Sequence, residues 1–566
     1  MLVYTCSLTK GGDMFLKVSK VKGYEYIRIV YSYRTKDNKV RHKTVANLGR
    51  ADKLHLMFPA FEKLFELYAQ NVFTSIDKIN TKEACIKNYS YIIIKEIWDK
   101  YRLNQFFLRL FRKRKVAFDL AKTVFTLVIN RLLVSELSKL GYFNNKDIFL
   151  YLNEELSLQD LYKTLDILEE CKEELEEYLF YRSLKLIDRE LRVCFFDVTT
   201  VYFESKKEDE LRKYGLSKDH KNNEVQIVLS LLIDSDGFPI SFDIYEGNKA
   251  ESKTLLDSLD RLKKKYKLEK IIVVADRGIS NFLNLNEIKK RGYEYIVGYK
   301  FKNRKIQDKI LDKEGYEVIG YNKKEGVYAY KEFTITEKRK VKILGGYQEI
   351  ELNHKIVATY SDKRALKDKK ERDKLINKVT KRLQENKIKG KEKYIEKYCD
   401  GGKVRYRLNF KKIEEDKKYD GYYALACSDV NMPALKIIKI HKQIYNVETA
   451  FRELKTDLNI RPIYHYTPKR IKGHIIVSFL AYFLLKHIER RLKYNKKTQD
   501  MVITSAGIID ALKGINAIET DINGKKYYLK TKHNKLASKM FEIFKIKNMK
   551  HVMSKKEIKE YLLPSL

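Results

Sequence analysis

The chain has 566 residues, 44% of them hydrophobic and 12% aromatic. At roughly 100–200 residues per domain this is material for several packed domains, which excludes a mainly disordered protein. Lys and Arg total 116 against 76 Asp and Glu, a formal net charge of +40. Such a charge repels itself unless a polyanion is near. Abundant Lys, Ile, Asn and Tyr fit a biased genome, but that bias does not choose Lys over Glu and Asp. Nucleic acid is therefore the expected partner.

Other classes drop out quickly. The opening MLVYTCSLTKGGDMF has no basic segment followed by an apolar one, so no secretory signal is expected. The longest apolar stretch, 475–485, is about half of the roughly twenty residues a membrane span needs and reads as a buried helix. The six cysteines are scattered, without zinc-ligand spacing or a disulfide framework, which points to a reducing cytoplasm. With six prolines, no Pro-rich linker marks a boundary.

Residues 1–50 predict a small β-rich module. FLKVSKV, YEYIRIVYSYRT and KVRHKTVANLG are rich in β-branched and aromatic residues and are broken by Gly23 and Asp37-Asn38. Residues 51–190 predict a helical domain, a scaffold or DNA-binding block, from apolar positions three and four apart in FDLAKTVFTLVINRLLVSEL and LQDLYKTLDILEECKEELEEYLFYRSLKLI. At 191 the pattern changes. LRVCFFDVTTVYFES is a β run, and EVQIVLSLLIDSDGFPISFDIYEGN reads as two strands joined at Asp236-Gly237. The helical ESKTLLDSLDRLKKKY follows, and then the apolar strand KIIVVAD. Three strands, a helix and a fourth strand over 191–315 match the first half of a ribonuclease-H-like α/β core, in which strands one and four are neighbours. Residues 316–432 read as a β-rich insertion domain carrying one strongly basic helix. Residues 433–495 return to helix and complete the core, and 496–566 read as a basic tail.

Three acids could carry chemistry. Asp197 lies inside the apolar strand VCFFDVTT, where a carboxylate is costly unless paired or metal-bound. Asp276 ends IIVVAD, and ligands of open α/β sheets sit at the carboxyl ends of strands. Glu448 lies in IYNVETAFRELK. At about 3.6 residues per turn it shares a helical face with Arg452 and Lys455, so one acid and two cations face one way. An ordinary i,i+4 ion pair is the simpler account of Glu448 and Arg452. Glu453 is a rival acid, but it projects to a different face from Lys455.

These residues resemble the DDE triad of bacterial insertion-sequence transposases of the IS-four type, where a β-strand insertion separates the second Asp from the Glu. GLSKDHKNNEVQIVLSLLIDSDGFPI, YEGNKAESKTL, ADRGISN, YDGYYAL and FRELKTDLNIRPIYHYTPKRIKGHI are similar to the family's blocks, in its order, over roughly 185–490. The family's signature runs Tyr, two residues, Arg, three residues, Glu, six residues, Lys. Glu448 and Lys455 match it, while His441 and Ile444 stand at the Tyr and Arg places. The resemblance implies two Mg²⁺ ions, with Mn²⁺ as a substitute, held about 3.5–4 Å apart. Asp197 would bridge them, Asp276 would hold one and Glu448 the other. It implies cut-and-paste transposition on double-stranded DNA by a homodimer in the bacterial cytoplasm, at the nucleoid. Arg452 and Lys455 would hold phosphate near the cut. Arg461, Tyr464, His465 and His220 would touch DNA, each with a solvent-facing or capping role as the plainer alternative. His474 reads as a cap or core contact, and Gly237 and Gly278 as turn residues. A nuclease without strand transfer, a catalytically dead DNA-binding derivative and an RNA-binding scaffold are the rival readings.

Overall fold

The structure is a computed structural model. It describes residues 3–6, 14–35, 37, 39–58, 85–112, 114, 116–134, 148–150, 156–187, 191–219, 221, 223–266, 271–278, 281–302, 304–322, 325–343, 346–385, 387–388, 392–400, 403–522 and 525–562. The chain folds as two compact units, residues 188–451 and residues 1–187 with 452–566.

The 188–451 unit is built on one nine-stranded sheet. Its strands are β1 (Val193–Tyr202), β2 (Gln226–Asp234), β3 (Pro239–Glu246), β4 (Ile272–Ala275), β5 (Glu294–Gly298), β6 (Glu317–Asn322), β7 (Gly326–Ile343), β8 (Gly346–Ser361) and β9 (Tyr422–Cys427). Their spatial order is β6-β7-β8-β9-β5-β4-β1-β2-β3. The first five strands thus run 3-2-1-4-5, with β1 and β4 adjacent and parallel as expected. All nine residues of β2 are buried, which fits a strand covered on both faces and accounts for its largely apolar sequence. Helix Glu251–Tyr266 links β3 to β4, and Phe282–Lys290 links β4 to the parallel β5. The β2–β3 turn closes at Gly237, whose φ of +80° suits glycine. Asp234 Oδ1 accepts from the amides of Asp236 and Phe238 there, at 3.0 and 2.9 Å.

Four strands of 316–432, β6 to β9, belong to the core sheet and are not a separate one. Strand β9 pairs antiparallel with β5, β8 with β9, and β7 with β8 over sixteen residue pairs, so they widen the core sheet. Helix Asp362–Gln384 follows β8, and a small ribbon, Ile395–Asp400 with Lys403–Leu408, stands apart from the sheet.

The other unit opens with a four-stranded antiparallel meander, Val3–Cys6, Met14–Val21, Tyr24–Arg34 and Val40–Arg50, in sequential order. Leu16, Ile27, Ile29 and Ala51 form its core. Helices Tyr91–Lys100, Leu120–Leu133 and Leu158–Glu170 pack on Pro468–Lys493. Among the described residues that last helix is the one long and apolar enough to cross a membrane, and 94% of its most apolar stretch is buried within the fold. It approaches Leu158–Glu170 closely at Gly473, where a Cβ would stand 2.3 Å from the Leu165 carbonyl oxygen. Residues 496–522 and 525–562, within the stretch expected as a basic tail, are folded. Asn516–Ile522 and Lys525–Lys530 pair with each other and, at the two edges, with Cys85–Asn88 and Val552–Ser554. Helices Ser505–Lys513, Lys535–Ile543 and Lys555–Leu562 complete this part. The boundary between the units also divides 433–495, read above as one piece, at Arg452.

Candidate active site

Phe196 of β1 lies opposite Ala275 of β4 in parallel register. Asp197 and Asp276 are each the next residue, so they stand side by side on strands about 5 Å apart. Asp276 is exposed just beyond the end of β4. The Asp197 side chain is only 17% exposed. Burial pushes the Asp197 carboxyl up from 3.8 to about 6; Glu251 and Asp276 add to this, while Lys218 and the Val198 amide oppose it.

Two residues not singled out above belong to this cluster. Lys218 Nζ lies 3.5 Å from Asp197 Oδ1 and 2.9 Å from Glu251 Oε1. It also donates to the Val198 carbonyl at 2.5 Å. Burial opposes the lysine's charge, but Asp197 and Glu251 outweigh it and raise its pKa. Glu251 opens helix Glu251–Tyr266 and reaches Gly278, where a Cβ would meet its Oε2 at 2.9 Å. Gly278 has no positive φ, so its small size matters here for space. Lys218 and Glu251 lie in SKDHK and NKAESK, segments that carry the family resemblance, and that was the available signal.

Beside Asp276, Arg277 stacks on Tyr423 at 4.6 Å, and Arg364 stacks on the same ring at 4.5 Å. His441, at the tyrosine place of the signature, packs its ring 5.7 Å from Tyr423. Burial lowers its pKa to about 4, against the pull of Asp276, so it is neutral at pH 7.

Glu448 is not gathered with the aspartates. Among the described residues no three Asp, Glu, His or Cys side chains are grouped closely enough to hold a metal ion. Glu448 is exposed in helix Tyr445–Arg452, whose Asn446 side chain donates to the Ser235 carbonyl at 2.8 Å. Its rival Glu453 is buried in the other unit, 2.8 Å from Lys486, which also pairs with Glu489 at 2.6 Å. From Glu453 to Asp457 the chain is π-helical, so the 3.6-residue count used for Lys455 does not extend past Arg452.

The expected DNA contacts of 452–465 lie in the unit that holds 452–566. Arg452 is exposed, Lys455 and Arg461 are half-buried, and Tyr464 is 47% exposed. His465 sits edge-on to Tyr162 and to His474. His474 is buried: Arg131 Nη2 reaches its Nδ1 at 3.1 Å, and its Nε2 meets the Ile460 carbonyl at 3.0 Å. Desolvation holds it neutral, which suits a core contact. His220 lies outside the described residues.

A sheet in 3-2-1-4-5 order with paired carboxylates on its adjacent strands 1 and 4 is the frame of a ribonuclease-H-like catalytic core. The family model described as "Transposase DDE domain" matches residues 188–484, more than half of the chain. That for "IS1634 family transposase, N-terminal domain" matches 16–70, across the meander. No curated protein matches the chain. The chain belongs to the DDE transposases of insertion sequences, a family of DNA-acting enzymes.

Proposed function

We propose that this transposase cuts its element from DNA and joins the freed 3′-hydroxyl ends to a target, with Asp197, Asp276 and Glu448 as its catalytic acids. The observation that carries the reading is the register of Phe196 on Ala275, after which Asp197 of β1 and Asp276, just past the end of β4, are the next residues.

The donors suit the metal. Carboxylate oxygens are the hard ligands that Mg²⁺ and Mn²⁺ prefer. Burial pushes the Asp197 carboxyl up despite Lys218 beside it, so a further cation there would be favourable. Asp197, Asp276 and Glu448 would be the carboxylates that hold the ions. Two such ions, when bound, supply an activated water and stabilise the leaving oxygen. The chain itself supplies position. Strands β1 and β4 fix the two aspartates, and Arg277 presents a guanidinium beside Asp276 for backbone phosphate. Arg452 and Lys455 hold phosphate near the cut, and Arg461, Tyr464, His465 and His220 contact the element ends.

We read β6–β9 with helix Asp362–Gln384 as an insertion into the core, and the meander with the helices as modules that grip DNA. The enzyme acts as a homodimer on two DNA ends, in the bacterial cytoplasm at the nucleoid. An excision assay tests this. A marker flanked by the element's ends is incubated with full-length protein and Mg²⁺, beside Asp197→Ala, Asp276→Ala and Glu448→Ala. Excision and joining by the wild type alone is the expected result. Cutting without joining would favour a nuclease, and cutting by an alanine variant would remove that acid from the assignment.

A further inference from the structure

Lys218 is held at four points. Its ammonium meets Asp197 Oδ1 at 3.5 Å, Glu251 Oε1 at 2.9 Å and the Val198 carbonyl at 2.5 Å, and its amide donates to Thr200 Oγ1 at 3.0 Å. One cation therefore joins acids from two elements, β1 and helix Glu251–Tyr266. Room for the second acid comes from Gly278, two residues past Asp276, since any Cβ there would crowd Glu251. The ammonium faces Asp197 Oδ1, on the carboxylate that a divalent ion would use. Two cations at one carboxylate repel each other, so metal and ammonium compete. Glu251 is already the nearer partner and can keep the lysine when Asp197 is given up.

We propose that Lys218 is a built-in counter-ion of the metal-free site, which must release Asp197 before a divalent ion binds and so sets the affinity of the site for metal. This rests on the reading of Asp197 as a metal-holding carboxylate. Lys218 acts through Asp197 and is a positioning residue.

The test is a titration of full-length, metal-stripped protein with Mn²⁺ alone, without DNA, read by calorimetry or by the electron paramagnetic resonance of free Mn²⁺. Lys218→Met keeps the length of the side chain and removes its charge. It should bind Mn²⁺ roughly fivefold more tightly, the scale of a partly exposed ion pair. Its melting temperature should be lower than that of the wild type without metal and should rise further when Mn²⁺ is added. Lys218→Arg keeps a cation and should bind as the wild type does. A merely structural lysine would lower the melting temperature without tightening Mn²⁺ binding, and that result overturns the proposal, as does Lys218→Arg binding as tightly as Lys218→Met. If Lys218→Met does not fold, Lys218→Gln gives the same reading. Asp197→Asn separates the two claims. If it abolishes binding while Lys218→Met matches the wild type, the counter-ion proposal alone falls. If it binds Mn²⁺ like the wild type, the metal assignment falls and takes the proposal with it.

Discussion

Replacing Asp197 by Asn should stabilise the metal-free protein while it abolishes activity. The native carboxyl titrates near 6 against an ordinary 3.8, chiefly because it is buried. The folded state therefore binds this proton more tightly than the unfolded state, and ionisation costs stability. The sign follows: the cost is absent below 3.8, grows as pH rises, and is complete above about 6. Its full size is about 3 kcal/mol, since one pKa unit is worth about 1.4 kcal/mol. At pH 5 roughly half of it has developed. Asn has nearly the same shape, carries no charge and can still accept from Lys218. Differential scanning calorimetry with a chelator would follow the transition of the 188–451 unit. At about 2 °C per kcal/mol for a unit of this size, Asn should raise its midpoint by about 6 °C at pH 8 and about 3 °C at pH 5. An unchanged or lower midpoint at pH 8 would refute the argument, and so would a gain that does not depend on pH.

Glu448 and Glu453 should separate function from stability. Glu448→Gln, at an exposed position, should change stability by less than about 0.5 kcal/mol yet abolish excision. Glu453→Gln removes one of the two acids paired with Lys486, which keeps Glu489, and should destabilise its unit by about 1 kcal/mol, read as a lower denaturant midpoint. Gly473→Ala would press a Cβ onto the Leu165 backbone and should cost about 1–3 kcal/mol in the same assay, with the two helices forced apart. With a net charge of +40, non-specific DNA binding should weaken steeply with salt. Equal affinity at 50 and 200 mM salt, the range over which charge-driven binding loses orders of magnitude, would mean that the charge is not facing DNA.

What could be read from the sequence is largely what costs free energy to bury. β2 is mostly apolar because all its residues are buried, and β4 is a short apolar run ended by Asp276, so both strands stand out in the sequence. Asp197 stands out for the same reason, as an acid where an acid is expensive. The C-terminal sheet was missed because its strands are charged and half-exposed, and because one partner, Cys85–Asn88, lies more than 400 residues away, beyond any local pattern. The π-helical turn after Arg452 is equally silent, since no Pro or Gly marks it.

The rest of the site was hidden by a related asymmetry. Lys218 and Glu251 are polar residues at solvent-accessible positions, where they cost little in isolation. Only the fold brings Lys218 within 2.9 Å of Glu251 and within 3.5 Å of Asp197. Glu448, also exposed, gives no burial signal, and its assignment rests on its motif. The half-buried acid is thus the part of the site that the fold holds at a loss, and Lys218 and Glu251 beside it are more exposed and offset that loss. Asp197 disfavours its own charge until a cation arrives, and Lys218 supplies one that a stronger cation can displace. A site arranged in this way gives up stability without metal for affinity with it. Asp197→Asn should therefore gain in the first and lose in the second, and a single variant showing both effects would tie the energetics of the fold to the chemistry of the site.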